Sequence, residues 1–310
     1  MRIMFMGTPD FAAIALKGLC ESGNTPVCCV TKVDKPARRG YQLTPSPVKV
    51  YALENGIPVE QPVKLSTPEF AETLKKYDPD LIVVVAYGVI LPKSVLEYPK
   101  YGCINVHGSL LPKYRGAAPM QRAIIDGCDK TGVTIMKMAE GLDTGDMILK
   151  LETPITEEDN LETIHDRLAE LGVKGLLEVI PALENGTATF EQQDDSLSSY
   201  AAKITKEDGI IDFTRPAREL SCLIRGLSPF PYAYCKNGET VLKITDVRCS
   251  EARPQNAECG EVVSLNGGEI TVACGEGSLR ILGVFPESKK RMRAVDYVNG
   301  GKIHVGDILR

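Results

Sequence analysis

The sequence predicts an α/β domain with a mostly parallel sheet, followed by a small antiparallel, barrel-like β domain. Three observations carry this. The chain opens strand–helix–strand, over residues 3–6, 11–22 and 27–31, the unit from which parallel sheets are wound. Leu81-Ile82-Val83-Val84-Val85-Ala86 is apolar and unalternating, as in a central strand buried on both faces. Beyond Pro229-Phe230-Pro231 the helical periods stop, and short strand patterns alternate with Asn-Gly turns.

Composition narrows the class. With 310 residues, 43% hydrophobic and 25% charged, the chain suits one large or two ordinary folded domains. No apolar run is long enough to span a bilayer, so no membrane partner is expected. Met1 leads directly into a strand pattern rather than a secretory or transit segment, which predicts a cytoplasmic site of action. Ten cysteines without one Cys-x-x-Cys read as reduced, mostly buried thiols. His107, His165 and His304 lack zinc-ligand spacing, and no metal site is expected. A net charge of −5 argues against indiscriminate nucleic-acid binding. Yet residues 209–310 hold 14 Lys/Arg against 12 Asp/Glu, so they carry +2 and the rest −7. A mildly basic C-terminal third is suited to face a polyanion.

Gly7-Thr8-Pro9-Asp10 turns the first strand into the first helix. It lacks Gly-x-Gly-x-x-Gly, which excludes the dinucleotide fingerprint. Residues 32–47 carry Lys32, Lys35, Arg38 and Arg39 among Pro36, Gly40, Pro45 and Pro47, with Lys49 just beyond. No regular period survives those breakers, so this is a long basic loop. Such loops in compact domains are commonly functional or disordered, and its charge suits phosphates, with a solvated surface loop as the alternative. Residues 48–55 and 68–77 read as helices, the first closed by Gly56. The central strand then exits through the apolar turn Tyr87-Gly88-Val89-Ile90-Leu91-Pro92.

Asn105 and His107 follow on a strand over 103–107, two residues apart and therefore on one side of it. Gly108-Ser109 breaks this strand, and Pro112 keeps the apolar loop Leu110-Leu111-Pro112 from extending the ladder. Loops at strand ends in parallel α/β sheets are where ligands bind. An amide and an imidazole projected there are suited to binding a carbonyl oxygen and handling a proton. A hydrogen-bonded structural histidine beside a turn-holding Asn has the same spacing. Two apolar loops side by side also suit a flat heterocycle, with core packing as the alternative.

Residues 118–126 read as a helix and 132–138 as a strand. Glu140-Gly141-Leu142-Asp143-Thr144-Gly145-Asp146 is an acidic, Gly-rich loop at that strand's end. Its aspartates lack calcium-loop spacing, and an Asx-turn accounts for them. A long amphipathic helix covers 161–183, with Leu161, Ile164, Leu168, Leu171, Leu176 and Val179 on its apolar side. The polar stretch 192–208 reads as a linker. A helix over 218–225 precedes strands at 233–235, 240–247, 260–264, 270–274 and 279–284. Asn237-Gly238 and Asn266-Gly267 are hairpin signals. Lys289, Lys290, Arg291 and Arg293 form the strongest basic cluster of this region.

Six motifs in order closely resemble those of the methionyl-tRNA formyltransferase family. They are Gly7-Thr8-Pro9-Asp10-Phe11, Pro45-Ser46-Pro47-Val48-Lys49, Ala86-Tyr87-Gly88 with Leu91-Pro92, Asn105-Val106-His107-Gly108-Ser109-Leu110-Leu111-Pro112, Arg115-Gly116-Ala117-Ala118-Pro119 and Gly141-Leu142-Asp143-Thr144-Gly145-Asp146. The likeness continues through the linker into Ile224-Arg225-Gly226 and Pro229-Phe230-Pro231. It implies a Rossmann-like formyltransferase catalytic domain over 1–189, a linker over 190–208 and an OB-fold-like tRNA-binding domain over 209–310. The implied activity moves the formyl group of 10-formyltetrahydrofolate to the α-amino group of initiator methionyl-tRNA, for translation initiation, in a monomer without a metal. By the same likeness the catalytic trio falls on Asn105, His107 and Asp143. Folate contacts fall on Gly88, Val89, Ile90 and Leu91, and on Ser109, Leu110, Leu111 and Pro112. The loop over 34–49 corresponds to the family's insertion toward the tRNA acceptor end, with Arg39 at its key arginine position and Arg38 where relatives often carry glycine. Lys289, Lys290 and Arg291 are expected to add tRNA affinity.

Overall fold

The computed structural model describes residues 1–36 and 43–310, so Arg38 and Arg39 lie outside the described residues. In chain order the first elements are β1 (Ile3–Gly7), α1 (Asp10–Glu21), β2 (Cys28–Val30), β3 (Lys35–Pro36), β4 (Leu43–Thr44), α2 (Pro47–Glu54), β5 (Val59–Glu60), α3 (Pro68–Tyr77) and β6 (Leu81–Val85). Next come α4 (Lys93–Leu96), β7 (Cys103–His107), β8 (Arg115–Gly116), α5 (Pro119–Ile125), β9 (Lys130–Lys137), β10 (Met147–Pro154), α6 (Leu161–Glu184) and β11 (Tyr200–Ala201). The last are α7 (Ala217–Gly226), β12 (Ala233–Asn237), β13 (Thr240–Ser250), β14 (Val262–Ser264), β15 (Ile270–Ala273), β16 (Ser278–Pro286), β17 (Met292–Arg293) and α8 (Ala294–Asn299). They build two units: Met1–Pro119 with Thr131–Thr153 and His165–Ala202, and Met120–Lys130 with Pro154–Ile164 and Lys203–Arg310.

The first unit is wound on a seven-stranded sheet in the order β10-β9-β7-β6-β1-β2-β5. β1 pairs in parallel with β2 and β6, β2 with β5, and β6 with β7; β7 and β9 are antiparallel. Every residue of β1 and β6 is buried, as the unalternating sequence predicts for a strand covered on both faces. Helix starts follow their caps. Thr67 accepts from Phe70 N–H and Pro68 sits at the first turn of α3, while Ser46 and Pro47 do the same for α2. Arg2 in turn donates to the carbonyls of Tyr77 and Asp78 at the end of α3. α6 lies against the sheet at two glycines. A Cβ on Gly172 would meet Val106 of β7 at 2.9 Å, and one on Gly175 would meet Ile135 of β9 at 2.9 Å. This close approach fixes the height of β7, which carries Asn105 and His107. β10 was not anticipated from the sequence: it is an edge strand whose Lys150 and Glu152 break the apolar pattern.

In the second unit the sheet order is β12-β13-β16-β15-β14, antiparallel throughout, with β17 on β16. Both Asn-Gly signals lie at turns: Gly238 between β12 and β13 has φ +57, and Gly267 between β14 and β15 has φ +67, a region glycine enters without strain. The C-terminal tail bridges the sheet's two edges, Leu309 bonding beside Asn237 and Ile308 beside Glu261. α7 covers the curled sheet with Leu220, Leu223 and Ile224, all buried against Leu242, Ile244, Leu279 and Ile281. Arg225 of α7 donates to the carbonyls of Thr156 (3.0 Å) and Asp159 (2.8 Å), and Arg122 pairs with Asp208 at 3.0 Å. These bonds tie the two short early segments into this unit.

Candidate active site

β7 ends at His107, and alternation along the strand puts Asn105 on the same face. His107 is 5% exposed. Its Nε2 lies 2.9 Å from the carbonyl oxygen of Tyr114. A carbonyl only accepts, so Nε2 carries a proton. Nδ1 faces the Asp143 carboxylate at 3.6 Å, beyond hydrogen-bond range but close enough to pair with an imidazolium. Among the described residues, no protein group occupies the half-buried Asn105 carboxamide.

Asp143 reaches this point through a constrained loop. Its backbone sits at φ +52, a left-handed conformation that costs a non-glycine residue energy. Gly145 lies so close to β9 that a Cβ there would fall 1.8 Å from the Lys137 carbonyl oxygen. The Asp143 carboxylate accepts from Gly116 N–H at 2.8 Å. The buried Gln193 holds the loop backbone: its Nε2 donates to the carbonyls of Asp143 (2.8 Å) and Gly145 (2.7 Å). Its Oε1 accepts from Arg115 Nη2 at 2.8 Å and Nε at 3.1 Å. Gln193 falls in the polar stretch that reads as a linker, where nothing local sets it apart from Gln192. Within the same stretch β11 pairs in parallel with β8, and Ala201 is buried.

The residues expected to contact folate divide by exposure. Ile90 is 83% and Val89 40% exposed, and Leu142 of the acidic loop is 55% exposed. Gly88 has φ +68, and a Cβ there would meet Lys32 Nζ at 2.7 Å. Burial holds the Lys32 ammonium below the usual lysine range, with a smaller push from Lys35. By contrast, Leu91 packs in the core with Tyr87, and Leu111 packs on Met136 and Met147. Ser109 is fully buried. Its hydroxyl donates to Lys113 O at 2.7 Å, and its carbonyl accepts from Thr134 Oγ1 at 2.7 Å. Thr134 in turn accepts from Leu111 N–H at 3.0 Å. Leu110 and Pro112 are partly exposed. The second apolar loop is thus buttressed from beneath, and exposed apolar surface with bare backbone is concentrated on the first.

The basic loop is tied down at its base. Lys49 Nζ bonds Asp34 Oδ2 at 2.6 Å and Gln61 Oε1 at 2.7 Å, and Gln61 Nε2 bonds Asp34 Oδ1 at 2.8 Å. Lys49 and Gln61 together hold the Asp34 carboxyl below the usual range. Lys49 is therefore held in an anchoring ion pair with Asp34. In the second unit Lys289, Lys290 and Arg291 are all exposed. Among the described residues no group of three or more His, Cys, Asp or Glu is arranged to hold a metal.

The comparisons with known proteins agree with one another. The formyl transferase family profile matches residues 1–180, and that of the formyl transferase C-terminal domain matches 203–302. The methionyl-tRNA formyltransferase of Citrifermentans bemidjiense is 48% identical over 309 residues, 100% of this chain and 96% of that protein. That of Marinobacter nauticus is 47% identical, covering 97% of each. Solved structures more distant in sequence share the fold. A Helicobacter canadensis N-formyltransferase in complex with folinic acid and dTDP-3-aminofucose gives TM-score 0.67 at 19% identity, over 91% of this chain and 98% of that one. HypX from Aquifex aeolicus in complex with tetrahydrofolic acid gives 0.67 at 18%, with 99% of this chain spanning 48% of HypX. With near-complete alignment to its relatives and both formyl transferase domains matched in order, the chain belongs to the methionyl-tRNA formyltransferase family.

Proposed function

We propose that this enzyme transfers the formyl group of 10-formyltetrahydrofolate to the α-amino group of initiator methionyl-tRNA through Asn105, His107 and Asp143. The observation that carries the reading is the His107–Asp143 approach of 3.6 Å on the strand face that also presents Asn105. The folate would supply the activated formyl group. Val89 and Ile90, exposed beside the bare backbone of Gly88, suit its flat ring, with Leu110 and Pro112 read as further contacts.

Acyl transfer from nitrogen to nitrogen forms one C–N bond and breaks another. An α-amino group with pKa about 8 is about a quarter neutral near pH 7.5, enough for attack without a strong base. Negative charge grows on the formyl oxygen. The Asn105 carboxamide N–H is the donor available to it, since the His107 Nε2–H is given to the Tyr114 carbonyl. The attacking nitrogen loses one proton and the departing nitrogen gains one. His107 and Asp143 can hold that proton in transit, since a proton on Nδ1 makes them an ion pair. No covalent enzyme intermediate is needed. Burial pushes the Cys103 thiol up to about 12, which keeps that neighbouring cysteine protonated and unreactive.

Residues 1–189 are read as the catalytic domain and 190–208 as the connector. Residues 209–310 are read as an OB-fold-like domain that adds tRNA affinity through Lys289, Lys290 and Arg291. Arg38 and Arg39 are read as facing the tRNA acceptor end. A monomer acting in the cytoplasm belongs to the same proposal. The experiment is single-turnover transfer by Asn105→Ala. Loss of one oxyanion donor lowers the rate by about 10²–10³-fold, with folate affinity retained. A folded variant with the wild-type rate refutes the role of Asn105.

A further inference from the structure

Pro229-Phe230-Pro231 has no part in the transfer chemistry, yet it holds an aromatic ring out into solvent: Phe230 is 77% exposed. The ring stands at the edge of a built surface. Cross-strand register places Tyr234 of β12 opposite Lys243 of β13, and Lys243 opposite Phe285 of β16. All three therefore lie in a row on one face of the sheet. Tyr232 meets Phe285 edge to face, with centroids 5.9 Å apart. Lys243 Nζ lies 5.5 Å from the Phe285 centroid and 5.9 Å from that of Tyr232, within cation–π range. Phe230, Tyr232, Tyr234, Lys243 and Phe285 line an open cleft of about 420 Å³ in the second unit. Glu287 is its acidic rim residue, and the exposed Lys289 and Lys290 follow within three residues.

We infer that this cleft binds an unpaired nucleotide of the tRNA substrate. The base stacks on Phe230 and the Tyr232–Phe285 pair, and the phosphate faces Lys243. Aromatic faces beside a cation are how proteins hold single-stranded nucleotides without reading their sequence, because every base has a π-face. The excess of lysine over carboxylate along this edge favours a polyanion over an apolar peptide. The inference rests on the tRNA reading of the preceding section.

The chain contains no tryptophan, so Phe230→Trp introduces a single indole at the cleft. Titrating the full-length variant with initiator methionyl-tRNA is expected to quench that indole saturably, whereas inorganic phosphate does not. In parallel, Phe230→Ala is expected to raise the Kd for tRNA about 5- to 150-fold, the range of one lost base–aromatic stack, while the folate Kd holds. Phe230 buries little surface, so both variants fold. The inference is overturned if the indole stays silent while tRNA binds, or if Phe230→Ala keeps the wild-type Kd. If the wild-type chain formylates methionyl-tRNA and Phe230→Ala keeps its Kd, the cleft alone is refuted. If the wild-type chain neither binds nor formylates methionyl-tRNA, both readings fall.

Discussion

The Tyr114 carbonyl, 2.9 Å from His107 Nε2, fixes which ring nitrogen turns toward Asp143. The carboxylate is fixed as tightly, by Gly116 N–H at its oxygen and by Gln193 at its backbone. Gln193→Leu leaves two carbonyls without donors and Arg115 with one acceptor, Asp195, instead of two. An unsatisfied buried polar group costs about 1–3 kcal/mol, here against a loop already held at φ +52. Single-turnover rates are expected to fall about 10-fold or more, with tRNA affinity unchanged. Gln193→Glu keeps the Arg115 contact but cannot donate, so it should fall as far. A wild-type rate in Gln193→Glu would show that the loop does not need the donated bonds. Asn105 and His107 were legible in the sequence because alternation on a strand puts residues two apart on one face. Gln193 was not legible, because its partners lie 48 and 50 residues away and a polar stretch looks the same whether solvated or buried.

At the level of elements, strands announce themselves in proportion to their burial. β1 and β6 are buried throughout and read directly from apolar runs. The pair β8–β11 is two residues long, too short to show a period, and the edge strand β10 buries only Met147 and Thr153 of its eight residues. Charge clusters were legible as clusters but not as roles. Lys49 is spent on Asp34, whereas Lys289, Lys290 and Arg291 are exposed. If those three each neutralise a phosphate, replacing them with glutamine should lower the slope of log Kd against log salt for tRNA by about 2–3. A slope equal to that of the wild type would remove the cluster from the tRNA surface.

For the molecule as a whole, the order of an α/β part and a β part was readable from where helical periods give way to Asn-Gly turns. The interleaving of Met120–Lys130 and Pro154–Ile164 with the C-terminal unit was not. It depends on Arg122–Asp208 and on Arg225 bonds to segments 66 and 69 residues away, which no local pattern encodes. All ten cysteines are free thiols, and burial pushes Cys28, Cys235 and Cys274, like Cys103, up to about 12, consistent with a transfer that needs no thiolate. The proposed activity is defined by its choice of acceptor. The most direct measurement is therefore formyl transfer from 10-formyltetrahydrofolate to initiator methionyl-tRNA, elongator methionyl-tRNA and free methionine, compared as kcat/KM. The account predicts strong preference for the initiator, with free methionine poorest. Equal use of all three, or transfer to none while folate still binds, would contradict it.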